Sequence, residues 1–440
     1  MSARSLAALA AACLFGLGST TLAFAGPAPE EVERTWTNMV LLLTRHTPTY
    51  SPPVASRTYA YLTVAAYEAV AAGSTTLQSL AGQLNGLTEG PRREPGAAYD
   101  EAIVVEATMA PVIKAMFENT GPTGQRAFQA QEEKLRAATE EGVAPDIVQR
   151  SEAFGAAVAA HILDWAKTDG SPEIVNMGFP TDYKLIPGPA HWVPTSNIVQ
   201  QQTPLLPSWG KNRPFAMPEG ASCPPPPALE YSEDPNSPFY KQAREVYDTK
   251  NSLTADQAAI ARFWADDPML SFTPPGHWIS IALQLQQKEQ MPLDKTVDML
   301  MRVSVAEADA FIGCWQTKYT YDLVRPVTYI RRLIDPKWET LINTPPFPEY
   351  TSGHSVSSAA AATVLTAILG DHYAFTDTTG GKDNLPMRQF GSFWEAANQA
   401  GISRLYAGIH YRAAIENGLA QGKCIGTYTV NLKTWKSPNA

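Results

Sequence analysis

Three short stretches of this chain carry the residue types needed to hold a multiply charged anion. In the first, Lys318 and Arg325 lie seven positions apart near the end of an apolar-periodic run, with Pro326 next; two helical turns set both cations on one face. Alone, such a pair is more often a solvated basic surface. In the second, Phe347-Pro-Glu-Tyr-Thr-Ser-Gly-His354 leads turn residues into the small-residue pattern Val356 to Leu369. Backbone N–H groups at such a helix start face outward with the positive dipole end behind them. Gly353 permits close approach of an anion, Ser352 adds a hydroxyl and His354 a proton donor. A capped helix start is the plain alternative. In the third, Ser403-Arg404-Leu-Tyr-Ala-Gly-Ile-His410 supplies another guanidinium and a second imidazole, although a lone histidine in helical surroundings is more often structural. Taken together, the donors suit a phosphate-shaped oxyanion, because guanidinium groups give permanently charged, bidentate hydrogen bonds.

The elements that must position these residues read as helices. Apolar residues recur at helical spacing over Glu31 to His46, Ser56 to Ala72, Ala97 to Phe117, Gly124 to Ala138, Asp146 to Lys167, Leu253 to Trp264 and Leu293 to Leu333. Alternating strand patterns are scarce, so the fold class is mainly α, with two packed helical bundles. Thr254-Ala-Asp-Gln has the form of a capping box at the start of one helix. From Gly178 to Phe239 the composition shifts to Pro, Ser, Asn and aromatic residues, which reads as a lid or tether. The expected organisation is a leader over 1–25, an N-terminal helical layer over 26–177, a Pro-rich connection over 178–245 and a site-bearing helical domain over 246–440. The basic Arg4, the apolar run from Leu6 to about Leu17 and the pattern Ala23-Phe-Ala25 mark the leader as a secretory signal cleaved after Ala25. A periplasmic or secreted protein with no membrane span is expected. A net charge of −9 argues against nucleic acid as a partner. An exported protein can oxidise two of Cys223, Cys314 and Cys424; the sequence leaves the pair open, Cys314 with Cys424 being one candidate. The assembly stays open, a homodimer being the commonest form.

In this order and spacing the motifs resemble those of the vanadium-dependent haloperoxidase and type 2 phosphatidic acid phosphatase superfamily: Lys, six residues, Arg-Pro; then Pro-Ser-Gly-His; then Ser-Arg, five residues, His, three residues, Asp. They cover about a quarter of the chain, from Lys318 onward, and the likeness to the bacterial haloperoxidase branch extends through 261–266 and 273–278 to the helix from Ser56 to Ala72. Two positions depart from the pattern: Thr351 replaces the proline, and Ala414 stands where the family has the aspartate that orients the essential histidine. His410 therefore needs another Nδ1 partner, for which a backbone carbonyl is the expectation.

The resemblance implies vanadate as cofactor and hydrogen peroxide with a halide as reactants. His410 would bond vanadium axially, with Lys318, Arg325, Arg404, Ser352 and the Gly353 N–H on the equatorial oxygens. His354 would move the peroxide proton, and Trp315 and Phe347 would line the halide side. The same residues serve a second reading, an exported acid phosphatase in which His410 attacks a phosphate ester and His354 protonates the alkoxide. A third is a helical binding protein that has lost catalysis, for which Ala414 is the main support. Asp266 is expected to neutralise Arg404 or orient a catalytic group, and His277 to border the entrance.

Overall fold

The structure, a computed structural model, describes residues 26–173, 178–196 and 202–436. The expected signal segment and Cys13 lie outside them. Among the described residues there are thirteen α-helices and one short β-hairpin, and no helix is long and apolar enough to cross a membrane. The N-terminal helices are α1 (Pro29–His46), α2 (Pro52–Ala71), α3 (Glu101–Met116), α4 (Pro122–Glu140) and α5 (Pro145–Ala166). Then come α6 (Pro238–Asn251), α7 (Ala255–Phe263), α8 (Thr273–Lys288), α9 (Leu293–Tyr321), α10 (Pro326–Leu333) and α11 (Gly353–Leu369). Strands β1 (Phe375–Asp377) and β2 (Arg388–Phe390) pair antiparallel, and α12 (Phe393–Ala407) and α13 (Arg412–Val430) close the chain.

Proline is a starter rather than a breaker here. Helices α1, α2, α4, α5, α6, α8 and α10 all carry it in their first two positions, where the missing N–H has no intrahelical partner to lose. That is why α6 rises out of the stretch expected to be irregular, and why α8 forms over Thr273-Pro-Pro-Gly. The capping box at Thr254 is present, with both reciprocal bonds to Gln257.

The run expected as one helix from Leu293 to Leu333 is two. Asp322 ends α9 in a left-handed conformation, φ 46°, and Arg325 is the extended N-cap residue of α10. Lys318 and Arg325 are thus not two turns apart on one helix face. They meet because the chain turns a corner between α9 and α10.

One apolar core runs from Val32 of α1 to Leu432 beyond α13. Buried along nearly its whole length, α2 packs on α9, so the N-terminal helices support the helix that carries Lys318. Helix α11 packs on α13 through glycines four residues apart. A Cβ on Gly422 would lie 2.1 Å from the Val356 carbonyl oxygen, and one on Gly426 2.8 Å from that of Ala360. Only residues without a side chain allow this approach, which fixes the start of α11 against α13.

Described parts of the 178–237 connection are built into the body: Trp192, Leu206, Trp209, Phe215 and Met217 are buried. The N–H groups of Phe215, Ala216 and Met217 donate to the Asp309 carboxylate of α9 at 2.6–2.8 Å. The disulfide joins Cys223 to Cys424, which ties this segment to α13, and Cys314 is a buried free thiol. The candidate pairing of Cys314 with Cys424 is thereby corrected: Cys314 sits inside α9 with its Sγ against the Thr351 carbonyl at 3.6 Å.

Candidate active site

Lys318, Arg325, Ser352, Arg404 and His410 are all at most 2% exposed. Gly353, His354, Arg404 and His410 line a cavity of about 1160 Å³. Four elements deliver them: the last turn of α9, the α9–α10 corner, the start of α11, and the end of α12 with the turn into α13.

His410 is gripped on both ring nitrogens. Its Nε2 faces Arg325 Nη1 at 3.1 Å. Arginine only donates, so Nε2 bears the lone pair and Nδ1 the proton. That proton goes to Glu349 Oε1 at 2.9 Å, and the Tyr411 N–H donates to the same oxygen at 2.8 Å. A carboxylate therefore replaces the backbone carbonyl expected as the Nδ1 partner. It arrives from the loop before α11 and not from position 414, where Ala414 is buried and gives its carbonyl to the Ser352 N–H at 3.0 Å. Burial pushes the Glu349 carboxyl up to about 7, with Arg325 pulling it back. Burial and then the charges of Arg325, Lys318 and Arg404 hold His410 well below its usual value, so the ring is neutral at neutral pH.

Arg325 is pinned by donation to the Phe347 and Ile409 carbonyls, each at 2.9 Å, while its Nη2 is buried without a partner in the protein. Lys318 Nζ donates to the carbonyls of Pro348, Glu349 and Thr351 at 2.9, 3.0 and 2.6 Å, so it anchors the loop that presents Glu349 and Ser352. Burial, with Arg325 nearby, lowers it to about 7. The Tyr350–Thr351 bond in that loop is cis. Arg404 donates to the Ser403 hydroxyl and the Ala261 carbonyl, with Asp266 and Asp267 as its counter-charges.

Ser352 caps α11, its Oγ accepting from the Ser355 N–H at 3.3 Å. A Cβ placed on Gly353 would meet nothing nearer than Phe311 at 3.9 Å and Trp315 at 4.0 Å, so the first turn of α11 opens onto free space. Trp315 and Phe347 lie 4.9 Å apart and the Phe347 ring sits 5.0 Å from both Lys318 Nζ and the Arg325 guanidinium. Both rings line the cavity that His354, Arg404 and His410 share.

His354 has an unpartnered, buried Nε2. Asp266 lies 3.8 Å from it, beyond hydrogen-bond range. Asp266 instead bonds His277 Nδ1 at 3.0 Å, and Asp377 of β1 holds His277 Nε2 at 2.8 Å. His277 is 1% exposed on α8 and stacks on Trp264 at 4.4 Å. It does not border the entrance; it is a buried cation clamped between two carboxylates. Burial alone would discharge it, but Asp266 and Asp377 outweigh that and raise it to about 10. Burial, and then the charges of Arg404 and His277, hold His354 well below its usual value.

Because the folded value of His277 exceeds its unfolded value of about 6.5, its contribution to stability is complete below pH 6.5 and fades as pH rises toward 10. The gap in thermal midpoint between the native chain and His277→Gln should therefore shrink across that window. A constant gap would contradict the clamped-cation account.

Sequence reasoning missed Glu349 and Asp377. Glu349 stands inside the quoted Phe347 to His354 stretch, and the missing aspartate at 414 was the signal that some carboxylate had to substitute. Asp377 carried no such signal, since the hairpin that delivers it is three residues per strand.

The model of a family described as the second helical-bundle domain of VCPO matches residues 298–435. Vanadium chloroperoxidase of Curvularia inaequalis is 26% identical over 217 residues, a match that spans 36% of this chain and only 36% of the fungal protein. Among solved structures, the first bacterial vanadium-dependent iodoperoxidase superposes with a TM-score of 0.85 at 38% identity, over 94% of this chain and 99% of its own. The holo form of a bacterial vanadium-dependent chloroperoxidase superposes with a TM-score of 0.64 at 17% identity, over 92% of each chain, which is a likeness of fold.

Proposed function

Because this chain belongs to the vanadium-dependent haloperoxidase family, we propose that it oxidises a halide with hydrogen peroxide to hypohalous acid, with vanadate as cofactor. The reading rests most on His410: a neutral imidazole whose Nδ1 proton is committed to Glu349, leaving the Nε2 lone pair among buried cations. The donor set suits an oxyanion. Arg325 Nη2 is a buried N–H group without a protein partner, and a Cβ on Gly353 would come no nearer than 3.9 Å to Phe311 and 4.0 Å to Trp315. Arg325, Arg404, Ser352 and the Gly353 N–H would hold the vanadate oxygens and His410 Nε2 the vanadium, while Lys318 would add charge and fix the loop.

When bound, vanadate supplies a fully oxidised Lewis acid that makes a peroxide oxygen electrophilic. His354, kept neutral by burial and by neighbouring cations, accepts the proton that the incoming peroxide gives up. Trp315 and Phe347 present an apolar face suited to a poorly hydrated halide. The site-bearing unit is taken as residues 246–440, in a protein exported by its leader.

The test is oxidation of iodide or bromide by purified protein with and without orthovanadate, beside turnover of a chromogenic phosphomonoester. Vanadate-dependent halide oxidation supports the reading; ester hydrolysis inhibited by vanadate, without halide oxidation, would move the protein to the phosphatases. In the same assay His354→Ala should lose about 10²–10⁴-fold in turnover while still binding vanadate, because His354 moves a proton and holds no equatorial oxygen. Equal loss of binding and turnover would instead make it a ligand-holding residue.

A further inference from the structure

We propose that Met269, a thioether at the mouth of the catalytic cavity, is converted to its sulfoxide by hypohalous acid formed in that cavity, an inference that rests on the haloperoxidase reading. Met269 is 46% exposed and is the sole sulfur among the described residues that line the cavity shared by His354, Arg404 and His410. It follows Asp266 by three residues, so their Cα atoms are at most about 11 Å apart, and the Asp266 carboxylate is 3.8 Å from His354 Nε2.

The loop holds it there. The N–H groups of Leu270 and Ser271 and the Ser271 hydroxyl all donate to the Asp267 carbonyl, at 3.1, 3.0 and 3.1 Å. Asp266 and Met269 are both in the left-handed region, φ 51° and 69°, which residues with a side chain rarely adopt. A partly exposed side chain in the cavity lining meets product on its way to bulk solvent.

The chemistry balances with what the reaction already makes. The thioether lone pair attacks the halogen of HOX and hydroxide leaves. Water then adds to the halosulfonium sulfur and halide departs with the protons. The sum is R₂S + HOX → R₂SO + H⁺ + X⁻, in which sulfur loses two electrons and the halogen gains them. The product is methionine sulfoxide, polar and chiral where an apolar chain stood.

Met387 is the internal control: it is more exposed, at 66%, and does not line the cavity. The vanadate-loaded full chain is turned over with bromide or iodide and peroxide in an excess of free methionine, and peptide mass spectrometry follows the added oxygen at both residues. A parallel sample without vanadate receives reagent hypohalite. During turnover Met269 should gain oxygen several-fold faster than Met387, and should do so only with halide present; reagent hypohalite should oxidise Met387 at least as fast. Met387 keeping pace with Met269 during turnover, or free methionine protecting both alike, would overturn the proposal. Absence of halide oxidation itself would instead overturn the functional reading, and the halide assay run on the same sample tells the two failures apart.

Discussion

Replacing His410 by Ala should abolish measurable halide oxidation and weaken vanadate retention by about 10²-fold or more, since losing even an outer partner of a metal ligand costs 10–100-fold. The imidazole ring is fixed in one state. Arg325 must donate to Nε2, so the Nδ1 proton points to Glu349 and the Nε2 lone pair faces the buried cations. Alanine removes that lone pair and leaves Glu349 buried with the Tyr411 N–H as its remaining donor. Vanadate titration and steady-state turnover check this. Full activity in His410→Ala with added vanadate would remove the axial assignment.

The second large effect is expected at Glu349. Its replacement by Gln keeps an accepting oxygen for the His410 Nδ1 proton but removes the negative charge that faces Arg325 and Lys318. It should lower kcat/KM by about 10–100-fold, with the thermal midpoint followed to separate catalysis from unfolding. Putting the family's aspartate back should not improve the enzyme. Position 414 is 0% exposed, in an apolar cluster with Tyr350, Tyr411 and Ile415, so Ala414→Asp buries a second carboxylate where the first already serves His410. Loss of stability or activity is the expected result, of order 1–3 kcal/mol in stability. A gain in rate or vanadate affinity would show that Glu349 is an inadequate substitute.

The residue types proposed to hold the oxyanion are legible in the sequence because each is marked by local spacing: Arg325 before Pro326, Ser352-Gly353-His354 before a helix, Arg404 six before His410. What it hid was set by tertiary arrangement. A periodic apolar run across 293–333 conceals the corner at Asp322, since the buried residues of α10 continue the pattern. Helix α8 begins Thr-Pro-Pro-Gly and so reads as a turn, which made His277 look like an entrance residue when its neighbours are in fact Asp266, Asp377 and Trp264. Cys314 and Cys223 are indistinguishable as partners for Cys424 by spacing, and only packing places Cys223 5.9 Å in Cα distance from it.

On the proposed function, vanadate sits on the unprotonated Nε2 of His410, with Glu349 behind it. A crystal structure of the protein loaded with orthovanadate tests this directly. The account predicts vanadium bonded to His410 Nε2, Nδ1 still within hydrogen-bond distance of Glu349, and oxygens contacted by Arg325, Arg404 and the Gly353 N–H. Vanadate seated elsewhere, or on His354 with the His410–Glu349 pair unengaged, would contradict it.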